Sequence, residues 1–243
     1  MSYVYRRCRQ TAISGAVLNA HIPLSPSLES LLAQYAVGSL GHGMSVLVAS
    51  FATLSPSARR QLDAFESLNG YLLEEAEVAP MAASSFDNVL KRLDGEDDST
   101  DLAAANDAGS QKATDKDLPL PLRDVFNHSF DSLPWRFAYP GVRHFKLAIG
   151  DAGEEVRLLK IKPGKAAPRH THKGIEATLV LRGAFRDGNR LYERGQLALA
   201  DQHVQHRPRA EGDEDCICLA VTDGALRFTD SLGRVARDFF SRA

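Results

Sequence analysis

Cysteine is scarce in this chain, with three residues in 243: Cys8, Cys216 and Cys218. So small and odd a number excludes a disulfide-stapled secreted scaffold and fits a reducing cytoplasm. Net charge is nearly absent as well. Its 29 basic and 31 acidic side chains sum to −2, so the sequence lacks the basic footprint that direct nucleic-acid binding needs. Long apolar runs are missing too, and nothing approaches the roughly 18 consecutive apolar residues of a membrane span. Arg6-Arg7 ahead of TAISGAVLNA resembles a twin-arginine export signal only superficially, because the stretch is short, weakly apolar and without a convincing cleavage site. What is present is ordinary for a soluble globular protein, at 44% apolar and 25% charged residues. The expectation is a cytoplasmic protein with neither a membrane nor a direct nucleic-acid partner.

A chain of this length holds one large domain or two small ones. Residues 1–24 are irregular and read as an extension. Ser25 followed by Pro26 has the form of an N-cap with proline at the first helical position, and Leu28, Leu31, Leu32 and Tyr35 recur at helical spacing until Gly38. A second helix runs from about His42 to Thr53, with Met44, Leu47, Val48 and Phe51 on one side. Ser55-Pro56 opens a third, striped by Leu62, Phe65, Leu68 and Leu72, and a fourth carries Phe86, Val89, Leu90 and Leu93. These four amphipathic helices predict a small bundle over 25–94, whose stripes face one another or a partner. Each stripe leucine taken singly is simply core.

Between Gly95 and Asp117 stand seven acidic residues and two lysines among small polar ones, which predicts a flexible acidic linker. Residues 118–243 then show short apolar runs, VRLLKI, EATLVL and CICLAV. Turn signals at 150–153, 187–189 and 223–224 separate them, so this half reads as an all-β sandwich or barrel. The fold class is α+β in two domains, an N-terminal helical bundle tethered to a C-terminal β domain.

In that second half, His170 and His172 alternate with Thr171, so an extended backbone aims both imidazoles to one face, and Glu176 returns to that side after a turn. Three ligands from one hairpin then converge. A fourth comes from GQLALADQHVQH, where His203 and His206 compete; three residues apart, they point to opposite faces of a strand, and the spacing from Gly195 favours His206. Imidazole nitrogen and carboxylate oxygen suit one divalent ion, zinc first, with iron, manganese or nickel as alternatives.

The run Gly164-x5-His170-x-His172-x3-Glu176-x6-Gly183 resembles the first cupin motif without a gap. Gly195 through His206 resembles the second, except that Asp201 and His203 replace its usual proline and glycine. With a helical domain in front, and with LLAQYAVG at 31–38, HTHKGIEATLVLRGAF at 170–185 and EDCICLAVTDGALRF at 214–228, the chain resembles ChrR-type anti-sigma factors. That resemblance implies a C-terminal cupin barrel, an extracytoplasmic-function sigma factor held by the helical domain, and a regulatory metal-bound cupin that answers stress such as singlet oxygen or peroxides. It also implies a zinc site in the helical domain, but the matching positions here are Pro26, Phe51, Ser55 and Ala58, so that ligand set is missing. His21 and His42 nearby do not make a closed zinc site without cysteines. Phe51 falls on an apolar stripe and Ser55 suits an N-cap, so the helices should fold without zinc.

Cys216 and Cys218 share a face of a predicted strand inside the barrel, either as a thiol pair open to oxidation or as small buried hydrophobes. Trp135 reads as a packing aromatic. Arg182, Arg186 and Arg190 straddle the motif hairpin and are either ligand-selecting or solvated. The rival to the regulator is a metal-dependent enzyme such as a cupin dioxygenase, because the same four donors leave open positions on an octahedral iron.

Overall fold

The computed structural model describes residues 27–94, 115, 117–125, 128–151, 153–224 and 226–228. Helix α1 spans Leu28–Ala36, α2 His42–Leu54, α3 Pro56–Glu74, α4 Ser85–Asp94 and α5 Leu120–Val125. The cap of α1 is Ser27 rather than the expected Ser25, since its side chain accepts from Ser30 N at 3.1 Å. Ser55 caps α3 as expected, accepting from Ala58 N, with Pro56 in the first turn. Cys8, His21 and Pro26 lie outside the described residues.

Among the described residues eleven strands follow: β1 (Arg136–Tyr139), β2 (Val142–Leu147), β3 (Glu154–Ile161), β4 (His170–His172), β5 (Glu176–Arg182), β6 (Ala184–Asp187), β7 (Arg190–Glu193), β8 (Leu197–Ala200), β9 (Arg209–Glu211), β10 (Cys216–Asp223) and β11 (Leu226–Phe228). A six-stranded antiparallel sheet has the order β1-β2-β3-β10-β5-β8, and two smaller sheets, β7-β6-β9 and β11-β4, accompany it.

The sheet is buried on both faces. Val156 and Leu158 on β3, Ala177, Leu179 and Leu181 on β5, and Ile217, Leu219 and Val221 on β10 share one core cluster with Leu32, Leu47, Val48 and Phe51 of the helices. Their alternate neighbours, Ile161, Val180, Cys216 and Cys218, belong to a second cluster on the other face. The strict alternation is the period-2 pleat at work, and it explains why CICLAV reads as an unbroken apolar run.

This arrangement departs from a tethered bundle. α2 has eight buried residues, Val46, Ser50 and Ala52 among them as well as the expected stripe, because the sheet covers the face that α1 and α3 leave open. A helix apolar on every side must be enclosed on every side. The sheet also supplies the missing cap of α2: Glu154 accepts from Gly43 N at 3.0 Å and Met44 N at 3.3 Å, and Asp151 from His42 N at 2.8 Å. A Cβ on Gly43 would strike Val156.

The end of the acidic stretch is likewise anchored. Arg182 donates to both oxygens of Asp115 at 3.0 Å and to Asp117 at 2.6 Å, and its guanidinium lies 5.2 Å from the Phe130 ring centre. Leu118, Leu122 and Phe130 then enter the core. Composition alone placed Asp115 and Asp117 in the linker, because a carboxylate's partner 65 residues away leaves no local trace.

Candidate metal centre

Gly174 lies in the turn between β4 and β5, where any Cβ would collide with the Asp223 carbonyl. That tight turn returns Glu176 beside the histidines. His172 Nε2 lies 2.9 Å and His170 Nε2 3.7 Å from Glu176 Oε2. His206 arrives by another route. It forms a bridge with His170 in which each backbone N–H donates to the other's carbonyl at 3.1 Å, and such a pair sets its side chains next to each other on one face. His206 Nε2 stands 3.0 Å from His170 Nε2 and 3.3 Å from Glu176 Oε2. All four donor atoms lie within 4.8 Å of one another.

Each ring is held from behind. His170 Nδ1 is 2.7 Å from the Pro168 carbonyl, His172 Nδ1 3.3 Å from the Asp201 carbonyl, and His206 Nδ1 2.7 Å from Asp187 Oδ2. With Nδ1–H donating outwards, every Nε2 lone pair is aimed at the common centre. His172 Nε2 is buried and makes no hydrogen bond, although Glu176 is close. Four ligands at roughly 2.0–2.1 Å around a tetrahedral ion sit about 3.3 Å from one another, and the spacings above bracket that value. The residues present therefore fit a divalent cation.

The charges agree. Burial opposes ionisation of Glu176, but the imidazoles of His170, His172 and His206 around it prevail and hold its carboxyl well below the usual range. Burial also opposes a proton on His206, yet hydrogen bonding to Asp187 and Glu176 raises its pKa to about 9. Two carboxylates thus concentrate negative charge where a proton or a metal ion balances it.

Beside the donors, between the six-stranded sheet and β6–β7, lies a cavity of about 70 Å³, walled largely by apolar side chains including Leu159, Phe185 and Tyr192, with Arg157 and Thr178 among the polar ones. It has room for several waters or one small organic molecule.

The structure brings His170, His172, Glu176 and His206 together; His203 is exposed, its N–H donating to Asp201 Oδ1 at 2.9 Å. Cys216 and Cys218 are buried with sulfurs 3.5 Å apart, and Cys218 faces the cavity. The contact with Cys216, together with burial, pushes the Cys218 thiol well above its ordinary pKa. The three arginines stand away from the cavity lining: Arg182 holds the acidic strap, Arg186 pairs with Glu211 at 3.3 Å, and Arg190 covers Tyr192. Trp135 packs on the core and donates to the Phe130 carbonyl at 2.7 Å. Phe51 and Ala58 are core residues. Asp187 is a site residue that the sequence does not mark, because Asp187-Gly188-Asn189 after Arg186 reads as an ordinary turn.

Among the described residues, no helix is long and apolar enough to cross a membrane. Residues 125–226 match the family model described as the ChrR Cupin-like domain. The Anti-sigma-E factor ChrR of Cereibacter sphaeroides is 37% identical over 213 residues, covering 87% of this chain and 95% of that protein. The crystal structure of Rhodobacter sphaeroides SigE in complex with the anti-sigma ChrR is similar with a TM-score of 0.69 and 35% identity, covering 82% of this chain and 98% of that one. With both halves matched in order and nearly end to end, the chain belongs to the family of ChrR-type anti-sigma factors, helical in its N-terminal part and cupin-like in its C-terminal part.

Proposed function

We propose that this chain sequesters an extracytoplasmic-function sigma factor through its helical part, within residues 25–94, and that a cupin within 118–243, loaded with one divalent metal at His170, His172, Glu176 and His206, modulates release under stress. The protein acts in the cytoplasm, where its partner works. Zinc suits three imidazoles and a carboxylate best, with iron, manganese or nickel as the other candidates. Bound there, the ion would neutralise the carboxylate charge and tie β4, the start of β5 and the 201–206 segment to one point. The protein's own contribution is to orient the donors from behind and hold them buried.

The observation that carries the partner reading is the apolar face left uncovered on α4. Phe86 is 69%, Val89 54%, Leu90 40% and Leu93 75% exposed. Leu68, Leu72 and Leu73 of α3 are exposed as well. A concentration of apolar side chains on helices is what a partner's helices would cover, and the related ChrR is seen with SigE. The enzyme reading rests on open positions at an octahedral iron, and the cavity beside the donors serves a sensor equally well, as a chamber in which a small molecule meets the metal.

Co-expression with the sigma factor encoded beside it should give a stable one-to-one complex. Phe86→Asp combined with Leu93→Asp should weaken that complex at least tenfold while leaving metal content and barrel melting unchanged. Failure to bind any cognate sigma factor overturns the proposal.

A further inference from the structure

The three outer contacts of the imidazoles are not equivalent. His170 and His172 lean on backbone carbonyls, of Pro168 and Asp201, whereas His206 leans on a side-chain carboxylate, Asp187 Oδ2, at 2.7 Å. Asp187 ends β6 and pairs across the hairpin with Arg190. The two-residue turn between them contains Gly188 at a φ of +56°, a left-handed conformation that glycine adopts without strain and that suits a tight hairpin. The turn is thereby short enough to fix where the strand ends. The Asp187 side chain is 22% exposed against 9% for His206, so it stands between the buried centre and solvent. His206 is also the donor that comes from outside the 170–176 hairpin, held in place by its bridge to His170. On its outer side the ring meets the Asp187 carboxylate through Nδ1, which sets its rotation and tautomer from behind.

From this geometry we infer that Asp187 is a positioning residue of the metal centre, setting the affinity of the site for its ion by orienting His206 and raising the basicity of its inner nitrogen. The inference rests on the metal-site reading above. A carboxylate behind a ligating imidazole accepts its N–H, locks the lone pair inwards and strengthens the donor, and loss of such a partner weakens metal binding by roughly 10- to 100-fold. A merely structural aspartate would alter melting and leave affinity for the ion untouched.

The test is zinc titration of the full chain against a chromophoric chelator at fixed pH, for the wild type, Asp187→Ala and Asp187→Asn. Cobalt-loaded spectra and melting of the metal-free proteins complete the comparison. One zinc per chain is expected in all three. Affinity should fall roughly 10- to 100-fold in Asp187→Ala and less in Asp187→Asn, which keeps an oxygen acceptor without the charge. The cobalt absorption bands should shift with it. If the alanine variant does not fold, the isosteric asparagine variant carries the comparison. Affinities within twofold of wild type in the folded variants overturn the role of Asp187 alone. A wild-type chain that takes up no zinc, cobalt or other divalent ion overturns the site reading and this inference with it.

Discussion

His144 stands on β2 with only 3% of its surface exposed, its Nδ1 3.3 Å from Arg157 Nη1. Burial, then the positive charges of Arg157 and Arg136, lowers its pKa from 6.5 to about 4. The unfolded chain takes up that proton near 6.5, so the native state gains its full advantage above pH 6.5 and loses it as pH falls towards 4. The whole shift corresponds to about 3 kcal/mol. In the same window His206, raised to about 9, stays protonated in metal-free protein, and Glu176, held low, stays ionised. Metal-free protein should thus show a falling urea midpoint between pH 7 and pH 4.5, and His144→Gln should flatten most of that fall. An unchanged slope in the variant removes His144 as its cause. Residue-scale chemistry was legible in the sequence where it was local: the same-face pair His170 and His172 follows from the strand period, and Glu176 from its spacing. It was illegible at His144, an unremarked strand residue whose chemistry comes from an arginine on the neighbouring strand.

At the scale of elements, α2 is the piece most dependent on others. Its own N-cap is Gly41, which offers no side chain, and the caps are the carboxylates of Asp151 and Glu154 from the turn before β3 and the start of β3 itself. A helix N-terminus carries unsatisfied N–H groups and partial positive charge, which carboxylates satisfy best. Glu154→Ala removes two of these bonds and should cost about 1–3 kcal/mol of stability. Glu154→Gln, still an acceptor, should cost less. Chemical denaturation followed by helical circular dichroism measures both, and equal stability of Glu154→Ala and wild type would show that the cap is idle. The spans of α2 and α3 follow from sequence periodicity and from the Ser55-Pro56 signal. The cap of α2 does not, because a glycine-rich turn at 150–153 looks like any hairpin turn until its carboxylates meet another element.

For the whole molecule, the decisive fact is one core shared by helices and sheet. Leu47, Val48 and Phe51 lie in the same cluster as Leu158, Leu179 and Leu219, and each such side chain contributes about 1.5–3 kcal/mol by leaving water. A fragment beginning at residue 115 would keep α5 and β1 to β11 but bare the sheet face under α2. It should lose about 5 kcal/mol or more, melt earlier than the full chain and bind a hydrophobic dye under native conditions. A fragment as stable as the whole chain would mean that the two parts are independent. The order of helical and β parts was readable from periodicity switching from 3.6 to 2, but their fusion was not, since patterning reports that a face is apolar and not what covers it. The division of β10 carries a further consequence. Cys218, Ala220 and Thr222 line the cavity while Ile217, Leu219 and Val221 lie in the helical core cluster, so the partition between metal chamber and helical part is a single strand thick. The chamber side of this diaphragm and the surface on which α2 rests are thus two faces of one strand, with no hinge and no long relay in between.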